Sequence, residues 1–120
     1  MKVQHYTETA AEGVPGMPGV TVRWVIAEAD GAPHFAMRVF DVPAGAATEY
    51  HQHWWEHEIF VLAGRGHVRG EAEEHPLREG TVAFIPGGEM HQLVNDGEGV
   101  LRFICLIPHP KLEGFVRGGE

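Results

Sequence analysis

The apolar positions of this chain come in short runs, set off by glycine and proline at regular intervals. Seven stretches read as strands: VTVRWVIAE (20–28), HFAMRVFDV (34–42), HEIFVLA (57–63), GHVRGEA (66–72), TVAFIP (81–86), MHQLVN (90–95) and VLRFICLIP (100–108). Valine, isoleucine and phenylalanine dominate them, as a pleated, half-buried backbone favours. No stretch repeats apolar residues at helical spacing over three capped turns. Between the runs lie DGAP, PAG, AGRG, EG, PGG and NDGEG, all turn chemistry. Many short strands with a turn every eight to twelve residues predict an all-β sandwich or barrel. GVPGMPG (13–19) reads as a link between an N-terminal arm, 1–19, and the first core strand. Residues 20–108 then form the barrel and 109–120 a C-terminal tail.

Length makes this one domain of 120 residues, enough to bury a core without staples. The formal net charge is -8, with Lys2 and Lys111 as the only lysines. Nucleic acid is excluded as an expected partner, because phosphate binding needs a basic face. A single cysteine, Cys105, cannot close an internal disulfide. The N-terminus MKVQHYTETAAEG lacks the apolar stretch of a signal peptide, and no run reaches the length of a membrane span. A cytoplasmic location is expected.

The chemistry concentrates in HQHWWEHEIF, where three of the nine histidines stand at 51, 53 and 57. Residues two apart on an extended backbone point to one side. His51 and His53 therefore project together as a two-point claw for a metal, and His57 joins them if WWE makes a tight connection. Neutral imidazole is a common metal ligand. His91 opens the strand that follows the Pro-Gly-Gly turn. His5, His34, His67, His75 and His109 read as structural or surface residues.

Two spacings resemble the paired motifs of the cupin superfamily. Gly45, His51, His53 and Gly64 fill G-x5-H-x-H-x(3,4)-E-x6-G, and Gly80, Pro86, Gly88, His91 and Asn95 fill G-x5-P-x-G-x2-H-x3-N. The six residues before Gly64 put His57, not Glu58, where the family usually has its glutamate. The chain is similar to small four-histidine cupins that bind manganese. The resemblance implies a double-stranded β-helix, that is, a jelly-roll barrel, with metal ligands His51, His53, His57 and His91. It implies Mn(II) first and Fe(II) second, with Zn(II), Ni(II) and Cu(II) possible by donor chemistry. It also implies a late strand lining the barrel, which puts Cys105 beside the metal, as a small buried residue or, alternatively, as a thiolate ligand.

Four neutral imidazoles leave the full charge on a divalent ion, so anions should be drawn to it. Metal binding should weaken as pH falls through about 6.5, where imidazole protonates. Arg38 interrupts an apolar strand. It reads first as facing solvent or in a salt bridge, and alternatively as reaching into the cavity to hold a carboxylate. Glu49, Glu56, Glu58 and Gln92 are candidates to orient the histidines, while Trp54 and Trp55 cap the barrel mouth or fill an interface. The expected function is a metal-dependent oxidoreductase, dioxygenase-like, acting on a small organic substrate. A redox-neutral isomerase or decarboxylase and a non-catalytic binding protein are the alternatives. A homodimer is expected, with the strand-like arm MKVQHYTET pairing with a neighbouring subunit.

Overall fold

The computed structural model describes residues 1–112; expectations for 113–120, most of the C-terminal tail, lie outside the described residues. The strands are β1 (Glu12–Val14), β2 (Met17–Ile26), β3 (Phe35–Val42), β4 (His57–Ala63), β5 (Arg65–Arg69), β6 (Glu74–Arg78), β7 (Val82–Ile85), β8 (Gln92–Asn95) and β9 (Leu101–Pro108). They form a six-stranded sheet in the order β1-β2-β3-β9-β4-β7 and a three-stranded sheet in the order β6-β5-β8. The named strand pairs are antiparallel. The jelly-roll architecture is the one expected.

Strand alternation decides what faces inward. Along β9, Leu101, Phe103, Cys105 and Ile107 are buried and the residues between them only partly so. On β3 the register puts Val42, Phe40, Arg38 and Ala36 opposite those four, so all eight share the inner face. Phe40 and Phe103 stack with centroids 5.2 Å apart. His57, Ile59 and Val61 of β4 are buried on the same side. The outer face of that sheet carries Arg102 paired to Asp41 at 2.7 Å, but also large apolar residues.

Three local expectations are corrected. The segment 13–19 is not a mere link: β1 and β2 turn back on each other through Gly16, at φ +79, and β2 begins at Met17, three residues before the run read from sequence. β6 was not foreseen, because EHPLR is charged and contains Pro76. It is an edge strand, where a missing N–H is tolerated. Within its own chain the N-terminal arm MKVQHYTET is not a strand. Tyr6–Glu8 make a 3₁₀ turn capped by His5, Lys2 donates to Val25 O (2.9 Å) and pairs with Asp30, and Arg23 donates to the carbonyls of Thr7 and Thr9. These contacts tie the arm to β2 and to Asp30 of its own chain. No helix among the described residues is long and apolar enough to cross a membrane.

The turn joining β7 to β8 positions the later chemistry. Gly88, at φ +82, donates its N–H to His53 O at 2.7 Å. Beside it, a Cβ on Gly87 would lie 2.1 Å from Trp54 O. The turn can press against the His53–Trp54 backbone only because both residues are glycine. Asn95 fixes the next turn, donating to Val42 O and Gly99 O and accepting from Gly97 N. Gly87→Ala should therefore cost about 1–3 kcal/mol through overpacking, whereas Gly99→Ala, with open space around its Cβ, should change little. Thermal unfolding of the two variants checks this, and equal losses would contradict it.

Candidate metal centre

The histidine segment is not part of a regular strand, yet it is extended and strapped to β8. Ala47 bridges Val94 and His51 bridges His91. His51 N–H donates to His91 O at 3.2 Å and His91 N–H returns to His51 O at 2.9 Å. Between them Thr48 donates its N–H to Leu93 O and accepts the Leu93 N–H on its hydroxyl, both at 2.9 Å. Two segments forty residues apart are thereby locked in one register, with His51 opposite His91. The Trp54–Trp55 bend then returns the chain to His57, the first residue of β4.

All four imidazoles expected as ligands meet inside the barrel mouth. Ring centroids of the His51–His53, His51–His91 and His53–His91 pairs are each 5.0 Å apart. One ligand atom from each of these three rings lies within 4.8 Å of the others. His57 stands outside that triangle but touches it: its Nε2 is 2.8 Å from His53 Nε2, and its ring is 4.9 Å from that of His91.

The opposite ring nitrogens explain the orientation. His53 Nδ1 faces Trp55 O at 3.1 Å and His91 Nδ1 faces Glu89 O at 2.9 Å. A carbonyl only accepts, so both Nδ1 atoms carry the proton and both Nε2 atoms present lone pairs. His51 Nδ1 lies 3.7 Å from Glu49 Oε2, and His57 Nδ1 lies 2.8 Å from Cys105 Sγ. His91 Nε2 is buried with no hydrogen-bond partner among the described residues. Buried polar atoms are rarely left so. Two cis ligands at a metal–nitrogen distance of about 2.1 Å would have their nitrogens ~3 Å apart, close to the His53–His57 separation. The donor set fits a divalent ion.

Burial holds these rings neutral. Desolvation pushes His53 down to about 4, with the nearby His91, His51 and Arg38 charges adding to it against the raising effect of the Trp55 carbonyl. Desolvation likewise drives His57 far below the ordinary imidazole range, helped by His53 and Arg38. His91 is lowered for the same first reason, against its bond to Glu89 O. Rings kept unprotonated near neutral pH are ready to ligate.

The cavity is about 80 Å³, lined by the four histidines, Met17, Arg38, Phe40, Thr48, Trp55, Ile59, Leu93, Phe103 and Cys105. No carboxylate lines it among the described residues. Cys105 is 2 % exposed, as the inward alternation of β9 required. Its thiol is pushed up by burial, with Arg38 opposing. Arg38 is a correction to the first expectation: it lines the cavity and its Nη2 donates to Cys105 Sγ at 3.2 Å. Of the proposed orienting residues, only Glu49 approaches a ligand histidine. Gln92 bonds Arg69 and Thr48 O, Glu58 is exposed on the outer face, and Glu56 is exposed too. Trp55, expected to cap the mouth or fill an interface, lines the cavity. It also stacks on His53 at 3.9 Å and 7°, a contact that spacing alone could not reveal.

A model of the cupin domain family (Cupin_2: Cupin domain) matches residues 38–107. An oxalate-binding protein of Thermotoga maritima is 32% identical, over 63% of this chain and 66% of that protein. An L-ectoine synthase of Mycolicibacterium gilvum is 29% identical, over 68% of this chain and 63% of that protein. The matches thus span just under two thirds of these curated relatives' lengths. Among solved structures, the polyketide cyclase RemF from Streptomyces resistomycificus is 36% identical with a TM-score of 0.84, covering 90% of this chain and 79% of that one. With the match over more than half its length, and the barrel and paired motifs in place, the chain belongs to the cupin domain family.

Proposed function

We propose that this chain is a mononuclear metal-dependent enzyme that activates a carbonyl or enolate oxygen of a small organic molecule without net redox change, as in a ring closure. The convergence of four imidazoles, three of them held neutral by burial, carries the reading. His51, His53, His57 and His91 would hold the ion through Nε2, with the His57 proton on Nδ1 toward Cys105 Sγ. Manganese(II) is the first choice of metal and iron(II) the second. A bound ion supplies Lewis acidity at a substrate oxygen. The chain does the rest. Glu89 O and Trp55 O fix the tautomers of His91 and His53, Trp55 and Phe103 wall the cavity with apolar surface, and the neutral donors cancel none of the charge offered to substrate. The likeness to a polyketide cyclase over 90% of the chain supports ring closure over the oxidoreductase chemistry expected from sequence.

Oxygen-dependent oxidation is the second reading, favoured by a donor set that binds redox-active metals as readily. A poly-β-ketone substrate analogue, incubated with manganese-loaded protein under nitrogen and under ¹⁸O₂, separates the two. A cyclised product formed without oxygen supports the proposal. Label incorporated only under oxygen contradicts it, and an analogue bound but recovered unchanged points to a non-catalytic binding protein.

A homodimer belongs to the same proposal, through a different surface from the arm. On the outer face of the larger sheet Phe60 lies opposite Val82, Glu58 opposite Phe84 and Leu106, and Phe35 opposite Pro108. Phe60, Val82 and Phe84 on the neighbouring strands β4 and β7 are 45%, 70% and 62% exposed, with Phe35, 58% exposed, on the far side of Glu58, exposed apolar surface of the kind that marks an interface. Light scattering should give a two-chain mass that Phe84→Glu reduces; a single-chain mass for the unmodified protein rejects the dimer.

Acid should act on the centre in two ways. His53 has its folded pKa below the unfolded value, so the unfolded chain binds more protons between about 6.5 and about 4. His57 and His91 shift in the same direction. Stability of the metal-free protein should therefore fall as pH drops through that window, whereas protons should compete for His53 in the folded chain, and so displace metal, only as pH approaches about 4. Thermal melts with and without manganese check both, and a flat profile would contradict them. His91→Ala should lower manganese affinity by at least tenfold by electron paramagnetic resonance titration while leaving the barrel folded.

A further inference from the structure

Arg38 is the one cation lining the histidine cavity among the described residues, and no carboxylate answers it. Its guanidinium stacks over Phe40 at 4.8 Å and over Trp24, 39% exposed, at 5.2 Å. Its Nη2 donates to the Cys105 thiol, a weak acceptor, at 3.2 Å. Its Nε is buried with no partner among the described residues. A guanidinium offers five N–H donors in a planar fork, and this one uses a single donor on sulfur. A partly buried charge without a counter-ion is costly.

We propose that Arg38 is the anion-binding wall of the cavity, taking a planar carboxylate or enolate oxygen of the ligand while the opposite end of that group faces the histidines. The inference rests on the metal reading above and names the class of ligand that site accepts. Three features select this class. The fork suits two coplanar oxygens. The cavity volume of about 80 Å³ admits an anionic head of a few heavy atoms. The remaining lining carries no negative charge that would repel such a head. Because Arg38 spans from the exposed Trp24 to the buried Cys105, the anion would be held between the opening and the metal ligands. Arg38 also sets a balance, as its charge opposes a nearby cation until an anion lies between them.

That balance gives a signature that a packing role would not. Oxalate serves as the probe, measured by calorimetry against metal-free and manganese-loaded protein, with manganese affinity followed by electron paramagnetic resonance. Arg38→Gln should weaken oxalate binding to the loaded protein roughly ten- to hundredfold, the loss of a charge-assisted bond. It should leave manganese affinity unchanged or tighter. Arg38→Lys, which keeps the charge without the fork, should recover part of the oxalate affinity and guards against a folding defect in the first variant. Phenylglyoxal modification of Arg38 in the unmodified protein, located by mass spectrometry, should be slowed by oxalate. Oxalate binding equal in all three proteins, or absent from the unmodified loaded protein, would overturn the proposal. Failure of the metal reading is separable: manganese would not bind the unmodified protein, while oxalate would still bind the metal-free form weakly and depend on Arg38.

Discussion

The reciprocal backbone pair between His51 and His91 is the constraint from which the rest of the centre follows. It joins the two motif segments at one register, and a slip of one residue would turn both rings away from the barrel interior. Thr48, Gly87 and Gly88 hold that register from either side. Once it is fixed, each Nδ1 meets a neighbour outside the cluster, and the Nε2 atoms are left aimed at common ground.

Packing and chemistry are coupled in this arrangement. The apolar wall that seats the rings also strips water from them, so the same burial that builds the core keeps the ligands unprotonated. Cys105 illustrates the economy of the site. It fills the inward position of β9 opposite Arg38, yet its sulfur also meets His57 Nδ1. A line of side-chain contacts therefore runs across β3, β9 and β4 from Arg38 through Cys105 to His57.

Much of this was legible in the sequence, because alternation and turn chemistry are local. β9, β4 and the turn before His91 follow from patterns within ten residues, and motif spacing named the four histidines before their geometry was on hand. What escaped notice depends on neighbours far along the chain. β6 is polar and holds Pro76, and only its edge position makes it a strand. The arm looked extended, but His5 and Glu8 cap a turn that rests on β2. Arg38 looked like a surface residue because its inward neighbours, Cys105 and Trp24, lie on other strands. Trp55 found its partner by folding back on His53.

The central claim is that four imidazoles, His57 included, hold one divalent ion. X-ray absorption spectroscopy at the manganese edge, on loaded protein and on His57→Ala, tests it most directly. The account predicts four imidazole nitrogens with further light-atom ligands in the unmodified protein, and one imidazole fewer in the variant. Three imidazoles in both would contradict it, leaving His57 as a neighbour of the centre and not a ligand.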